Sequence, residues 1–341
     1  MKKTYAFSLA GILLVGIMAL GVFLFNLYHR PLGQQLTLIP QPSPTGSVSQ
    51  ERMALTTNPT ATIMMGADDS SGGILCGQSG AMKILIIGSD AEDLRGRPGS
   101  DLTRLARVDF SGKKVETFAL PRDLWVDVRD QGFQTPLITE TTLGKVYYEA
   151  HKRSTKADET GKMTDGAQAS AQMVLDDFGV TSDHYAVIDL SQLPALIDAI
   201  GGLPIDIPER TTDPWIGTVI EAGQQTLTGE QLESYARAIP DSDFARIQRN
   251  NIILYALRQK LLDPSVWEKL PALYNQFKNM IITDLSPQQI LSFFCLIREV
   301  PREQIAMEQV KPEWTSPGPS NSLLWDKDKV TVALKQLDLL P

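Results

Sequence analysis

The chain is read first for its alternation of hydrophobic and polar positions. No charged residue occurs from Thr4 to Tyr28, and the run YAFSLAGILLVGIMALGVFLFNLY is long enough to cross a bilayer as a helix. Lys2 and Lys3 stand before it, and His29 and Arg30 follow. That asymmetry predicts a cytoplasmic N-terminus with the rest of the chain outside. A cleaved signal has a shorter apolar region ending in small residues, so the FLFNLYHR ending favours an uncleaved anchor. Residues 31–80 have no helical or strand period. They are rich in Pro, Ser, Thr and Gly and read as a flexible spacer.

Periodicity returns at Met82. MKILIIG, 82–88, is a short apolar run stopped by glycine, the pattern of a central strand. LTRLARVDF (102–110) and KVETFAL (114–120), joined by a Ser-Gly-Lys turn, predict a strand pair. Residues 129–163 read as a long polar excursion. DGAQASAQMVLDDFG, 165–179, has helical spacing and a glycine stop. HYAVIDL, 184–190, predicts another strand, and Ser191 is placed to cap the helix QLPALIDAI, with a short strand LPIDIP after it. Thr228 with Gln231 forms a capping box for GEQLESYAR. Asp243 reads as the N-cap of FARIQRNNIILYALRQKLL, whose buried face carries Phe244, Ile247, Leu254, Leu257 and Leu261. Ser286, Pro287 and Gln289 open PQQILSFFCLIREV. Strands alternating with helices predict a layered α/β domain. The expected organisation is an anchor over 1–30, a spacer over 31–80, a catalytic domain over 81–262 and a helical C-terminal extension over 263–341.

Composition narrows the functional classes. The 341 residues carry a formal net charge of -8, so the chain is a poor general nucleic-acid binder. Anion binding must therefore come from local arginine clusters. The three histidines, at 29, 151 and 184, are scattered and form no zinc-like set. Cys76 and Cys295 are the two cysteines, and in an exported domain they are expected to form a disulfide that holds the C-terminal extension.

Chemistry-bearing residues collect at the predicted strand ends. Asp90 follows the first strand, Asp101 opens the second, and Arg122 and Asp123 follow the third. Ligands of α/β sheets sit where loops leave strand ends. Asp90 and Asp101 are placed to share a hard cation such as Mg²⁺, which takes one or two carboxylates plus phosphate oxygens. Each aspartate alone would serve equally as a turn cap. A second cluster follows in YARAIPDSDFARIQRNN: Arg237 ends one helix, and Arg246 and Arg249 share a face near the start of the next. A helix N-terminus with two added arginines suits phosphate, although a solvated polar face has the same pattern.

The segments ILIIGSD, GSDLTRLARVDF, KVETFALPRDLWVDV, HYAVIDLSQLPALIDAIGGLPIDIP, GQQTLTGEQLESYAR and DSDFARIQRNN resemble the LytR-CpsA-Psr family in content and order, over about residues 82–260. The resemblance implies a three-layer α/β/α sandwich with a central mixed sheet and an apolar pocket for a polyprenyl tail. It implies a membrane-anchored, extracytoplasmic bacterial phosphotransferase of cell wall biogenesis. Such an enzyme moves a glycopolymer from a polyprenyl-pyrophosphate carrier to a peptidoglycan hydroxyl as a phosphodiester. It further implies Mg²⁺ (or Mn²⁺) at Asp90 and Asp101, catalytic roles for those two with Arg122 and Asp123, and pyrophosphate binding by Arg122, Arg237, Arg246 and Arg249. The sequence departs from the family pattern at Gly99, where an arginine is usual, and at Leu102, Ile239 and Asn250. GKVYYEA keeps Lys145 but lacks the family's asparagine. Arg97, in the loop before Gly99, is a candidate substitute for the missing cation. These departures keep two alternatives open: a non-catalytic binder of polyprenyl-phosphate lipid or cell-wall polymer, and a polyprenyl-pyrophosphate hydrolase.

Overall fold

A computed structural model describes residues 28–40, 76–90, 99–128, 140–213, 217–238 and 242–341. Most of the apolar run 4–28 therefore lies outside the described residues, as do 41–75 of the expected spacer. Among the described residues no helix is long and apolar enough to cross a membrane.

The elements run β1 (Ala81–Asp90), β2 (Gly99–Asp109), β3 (Lys114–Leu120), β4 (Trp125–Asp127), β5 (Glu140–Thr142), α1 (Leu143–Arg153), α2 (Glu159–Phe178), β6 (His184–Asp189), α3 (Leu193–Ala199) and β7 (Leu203–Ile207). They continue with β8 (Thr211–Thr212), β9 (Val219–Ile220), β10 (Gly223–Leu227), α4 (Gly229–Arg237), α5 (Asp243–Leu262), α6 (Pro264–Trp267), α7 (Leu270–Phe277), β11 (Ile281–Thr283), α8 (Pro287–Glu299), β12 (Ile305–Gln309), β13 (Thr315–Pro317), β14 (Leu323–Trp325) and α9 (Lys327–Gln336). Six strands form a mixed sheet in the order β11-β6-β1-β2-β3-β12. The β1–β6 and β3–β12 pairs are parallel and the others antiparallel.

Strand alternation sends successive side chains to opposite faces, and both faces are covered. Leu85, Ile87, Leu105, Phe118 and Val187 pack with Val146 of α1, Val174 of α2 and Leu334 of α9. Ile84 and Val108 pack on the other face with Leu296 and Val300 at α8. A separate cluster joins α3, β7, β10, α4 and the middle of α5 through Ile197, Leu203, Leu227, Leu232 and Ile253. The mixed sheet with helices on both faces agrees with the layered α/β expectation.

Local chemistry explains most boundaries and corrects several. Gly179, at φ 71°, ends α2 in the left-handed region. The capping boxes of α4 (Thr228, Gln231) and α8 (Ser286, Gln289) are both formed. Ser191 does not cap; Asp189 caps that turn and accepts from the Ser191 amide at 3.0 Å. Ser242, not Asp243, is the N-cap of α5, which leaves the Asp243 carboxylate for other partners. Helix α1 lies within the stretch expected to be a polar excursion, because Leu143, Val146 and Tyr147 give it a buried face. The segment after residue 263 is not a helical appendage alone. It supplies both edge strands, β11 and β12, of the central sheet.

Two tethers bind the chain's early residues to the domain. The disulfide Cys76–Cys295 ties the entry to β1 onto α8, as the sequence predicted. The stretch 32–39, assigned to the spacer by composition, runs extended along α2. Gln168 accepts from the Thr37 amide at 2.8 Å and donates to its carbonyl at 2.7 Å. Gln172, one helical turn on, does the same for Ile39 at 2.8 and 2.9 Å. Leu36 and Leu38, which alternate with the bonded residues, pack against the main core. His184, beside Asp284 at 3.2 Å and Gln289 at 3.0 Å, and His151, on Glu159 at 2.6 Å, have structural partners.

Candidate functional site

The site is built where β1, β2 and β3 end on one side of the sheet. Gly88 pairs with Leu102 and Ser89 with Ser100, so Asp101 has no opposite residue. This one-residue bulge in β2 re-aims the Asp101 side chain. A side chain at Gly88 would press on Leu102 and Leu190, both at 3.0 Å from the position of a Cβ, which explains the glycine beside the bulge. Pro121, lacking an N–H, ends β3 and starts the turn that holds Arg122. That turn is fixed by Gly144 N–H on the Arg122 carbonyl at 2.8 Å and Leu323 N–H on the Asp123 carbonyl at 2.8 Å. Gly99 and Gly144 pass closely here; a Cβ on Gly99 would stand 3.1 Å from the Gly144 carbonyl oxygen. Gly99 thus serves a close approach of β2 to α1.

Four side chains close a ring. Arg122 Nη1 donates to Asp101 Oδ1 at 2.5 Å, and Arg246 Nη1 donates to the same oxygen at 3.2 Å. Arg246 Nη2 turns to Asp243 Oδ1, and Asp243 Oδ2 accepts the Arg122 backbone N–H at 2.6 Å. Asp123 Oδ1 lies 3.8 Å from Arg122 Nε and is the most exposed of these carboxylates, at 45%. Burial pulls the Arg122 pKa down, but Asp101, Asp123 and Asp243 together outweigh it and raise it. Arg237 is anchored to Glu233 at 2.8 Å, and its pKa is lowered by burial and then by the charge of Arg246. Arg122, Arg246 and Arg237 therefore form a cationic group interleaved with carboxylates. Arg249 is buried, and its Nη2 donates to the Ala238 carbonyl at the end of α4.

The sequence had named Asp101, Arg122, Asp123, Arg237 and Arg246, and these come together. Arg97 and Ile239 lie outside the described residues, and of Asp90 only the backbone is described, at the end of β1 opposite Gly99. One participant, Asp243, was missed, as was the buried Arg104 on the same strand as Asp101. Asp243 looked like a cap, and its proximity to Arg246 three residues on was the available signal. Arg104 is 1% exposed and bonds Thr117 and Asn251. Its signal was an arginine interrupting an apolar strand. A hard cation fits the donor set in one respect: nothing among the described residues bonds Asp101 Oδ2. Among the described residues no group of three His, Cys, Asp or Glu is placed to hold an ion.

A mixed α/β sandwich with an arginine–aspartate ring at one end of its sheet defines the class of protein. The chain belongs to the LytR_cpsA_psr family, which it matches over residues 48–337. Regulatory protein MsrR of Staphylococcus aureus is 23% identical over 210 residues, 60% of this chain and 57% of that protein. The cell wall biosynthesis protein LcpA of Corynebacterium glutamicum is 27% identical over 250 residues, 63% of this chain and 46% of that protein. The polyisoprenyl-teichoic acid–peptidoglycan teichoic acid transferase TagU of Enterococcus faecalis is 26% identical over 208 residues, 60% of this chain and 61% of that protein. The chain thus spans about half to three-fifths of the curated relatives it matches. Among solved structures, TagV of B. subtilis superposes with a TM-score of 0.59 at 19% identity, over 77% of this chain and 100% of that one. TagT bound to LI-WTA gives 0.56 at 16% identity, over 80% and 93%. These likenesses establish the fold.

Proposed function

We propose that this protein is a membrane-anchored, extracytoplasmic phosphotransferase that moves a glycopolymer from a polyprenyl-pyrophosphate carrier to a peptidoglycan hydroxyl. The observation that carries the reading is the convergence of Arg122 and Arg246 on one oxygen of Asp101. Two guanidinium groups held by a shared carboxylate are preset to receive phosphoryl oxygens, which bind such forks through strong charge-assisted bonds. The TagU relative, a teichoic acid transferase by name, supports the same substrate class. The apolar run 4–28, with lysines before it, supports a single-pass anchor in the cell membrane.

In this mechanism the acceptor hydroxyl oxygen forms a bond to the phosphorus attached to the sugar, and the bridging P–O bond breaks. Polyprenyl phosphate leaves, and the hydroxyl proton passes to a carboxylate of the site. Negative charge spreads over the phosphoryl oxygens, and Arg122 and Arg246, with Arg237 behind them, stabilise it from fixed positions. Asp123, the more exposed carboxylate, orients the acceptor hydroxyl. Mg²⁺ or Mn²⁺, held through Asp101 Oδ2 and Asp90, would supply further charge neutralisation on the phosphates.

The test uses the full chain in detergent with a polyprenyl-pyrophosphate-linked sugar, with and without Mg²⁺, and with and without an acceptor oligosaccharide. Metal-dependent transfer that falls about 100-fold or more in Arg122→Ala is the expected result. Sugar release without transfer would replace this reading with a hydrolase. Tight binding with no product would replace it with a lipid- or polymer-binding protein.

A further inference from the structure

Arg104 points from β2 into the seam between the sheet and α5, and its charge is unanswered. Nη1 donates to Thr117 Oγ1 at 2.8 Å and Nη2 to Asn251 Oδ1 at 2.5 Å, both neutral oxygens, while Nε has no partner. No carboxylate among the described residues pairs with it. Burial lowers its pKa to about 10, so it remains a cation at neutral pH. A buried cation facing only neutral groups is costly and is matched best by an anion.

The same two elements carry the ring described above. β2 supplies Asp101 and Arg104, and α5 supplies their partners, Arg246 and Asn251. Those helix positions are five residues apart, or about 7.5 Å along the axis. The two positions also lie about 140° apart around the helix axis, so the link between the two groups runs through β2, which carries both Asp101 and Arg104.

We propose that Arg104 is a second anion-binding residue of this site, holding one phosphoryl group of a diphosphate whose other group meets Arg122 and Arg246. The half-buried Asn251 amide oxygen keeps the place until an anionic oxygen replaces it, since a charged acceptor binds guanidinium more strongly than a neutral one. This inference rests on the pyrophosphate-carrier reading and adds a residue that the reading does not require.

The experiment is calorimetric titration of the full chain in detergent and Mg²⁺ with inorganic pyrophosphate and, separately, inorganic phosphate. Arg104→Met is expected to weaken pyrophosphate about ten- to hundredfold and phosphate less than about threefold. Asn251→Asp neutralises Arg104 in place; it is expected to raise Tm and to weaken pyrophosphate about tenfold. It decides the matter if Arg104→Met does not fold. Arg122→Ala should weaken both probes. Loss in Arg122→Ala with unchanged pyrophosphate affinity in the Arg104 and Asn251 variants would make Arg104 purely structural and overturn the inference alone. A wild-type chain that binds neither probe would overturn the carrier reading and this inference with it.

Discussion

Single residues in this protein are tuned mainly by burial. Asp177 of α2 accepts the Asp127 amide at 2.9 Å, yet burial dominates and raises its pKa above the usual carboxylate value. A carboxyl whose folded pKa is raised contributes its stability fully below the unfolded pKa of about 3.8, and loses it as pH climbs through the folded value. Asp177→Asn should therefore gain on the wild type as pH rises from 4 to 8, and thermal unfolding across that range measures it. A constant difference would show that the burial of Asp177 has no titration consequence. At this scale the sequence made five site residues legible, because Asp101, Arg122, Asp123, Arg237 and Arg246 sit at element ends. Arg104 was hidden for the opposite reason: a charge inside a strand becomes meaningful only when the face it points to, and the helix covering that face, are known.

Among elements, the strands with strong apolar runs and the helices with capping boxes were legible in advance. β1, β2, β3, β6, α4 and α8 follow from local pattern and local hydrogen bonds. α1 was not, because its apolar face has only a few members set among polar residues. β11 and β12, three and five residues long, carry little pattern of their own and become strands by pairing with β6 and β3. The extended stretch along α2 was also invisible, since it depends on two glutamines more than 130 positions away. Replacing both, Gln168→Ala with Gln172→Ala, should speed hydrogen exchange at the Thr37 and Ile39 amides about tenfold. Unchanged exchange would mean that Leu36 and Leu38 alone hold the stretch.

At the scale of the whole molecule, the Cys76–Cys295 bond closes a loop of 219 positions. Long loops gain most from closure, so the Cys76→Ser, Cys295→Ser variant should lose about 2–5 kcal/mol of stability, read by denaturant unfolding without reductant. A loss under about 1 kcal/mol would show that β11 and β12 already fix α8 without the crosslink. The docked stretch on α2 has a geometric consequence of a different kind. It bonds the domain at Leu32, whose N–H donates to the Leu285 carbonyl at 3.2 Å. Only His29, Arg30 and Pro31 lie between the end of the apolar run at Tyr28 and that bond. An anchored protein of this design would not roam at the end of a fifty-residue leash. It would ride the membrane on a three-residue axle, and its reach toward the wall would be set by the thickness of the domain.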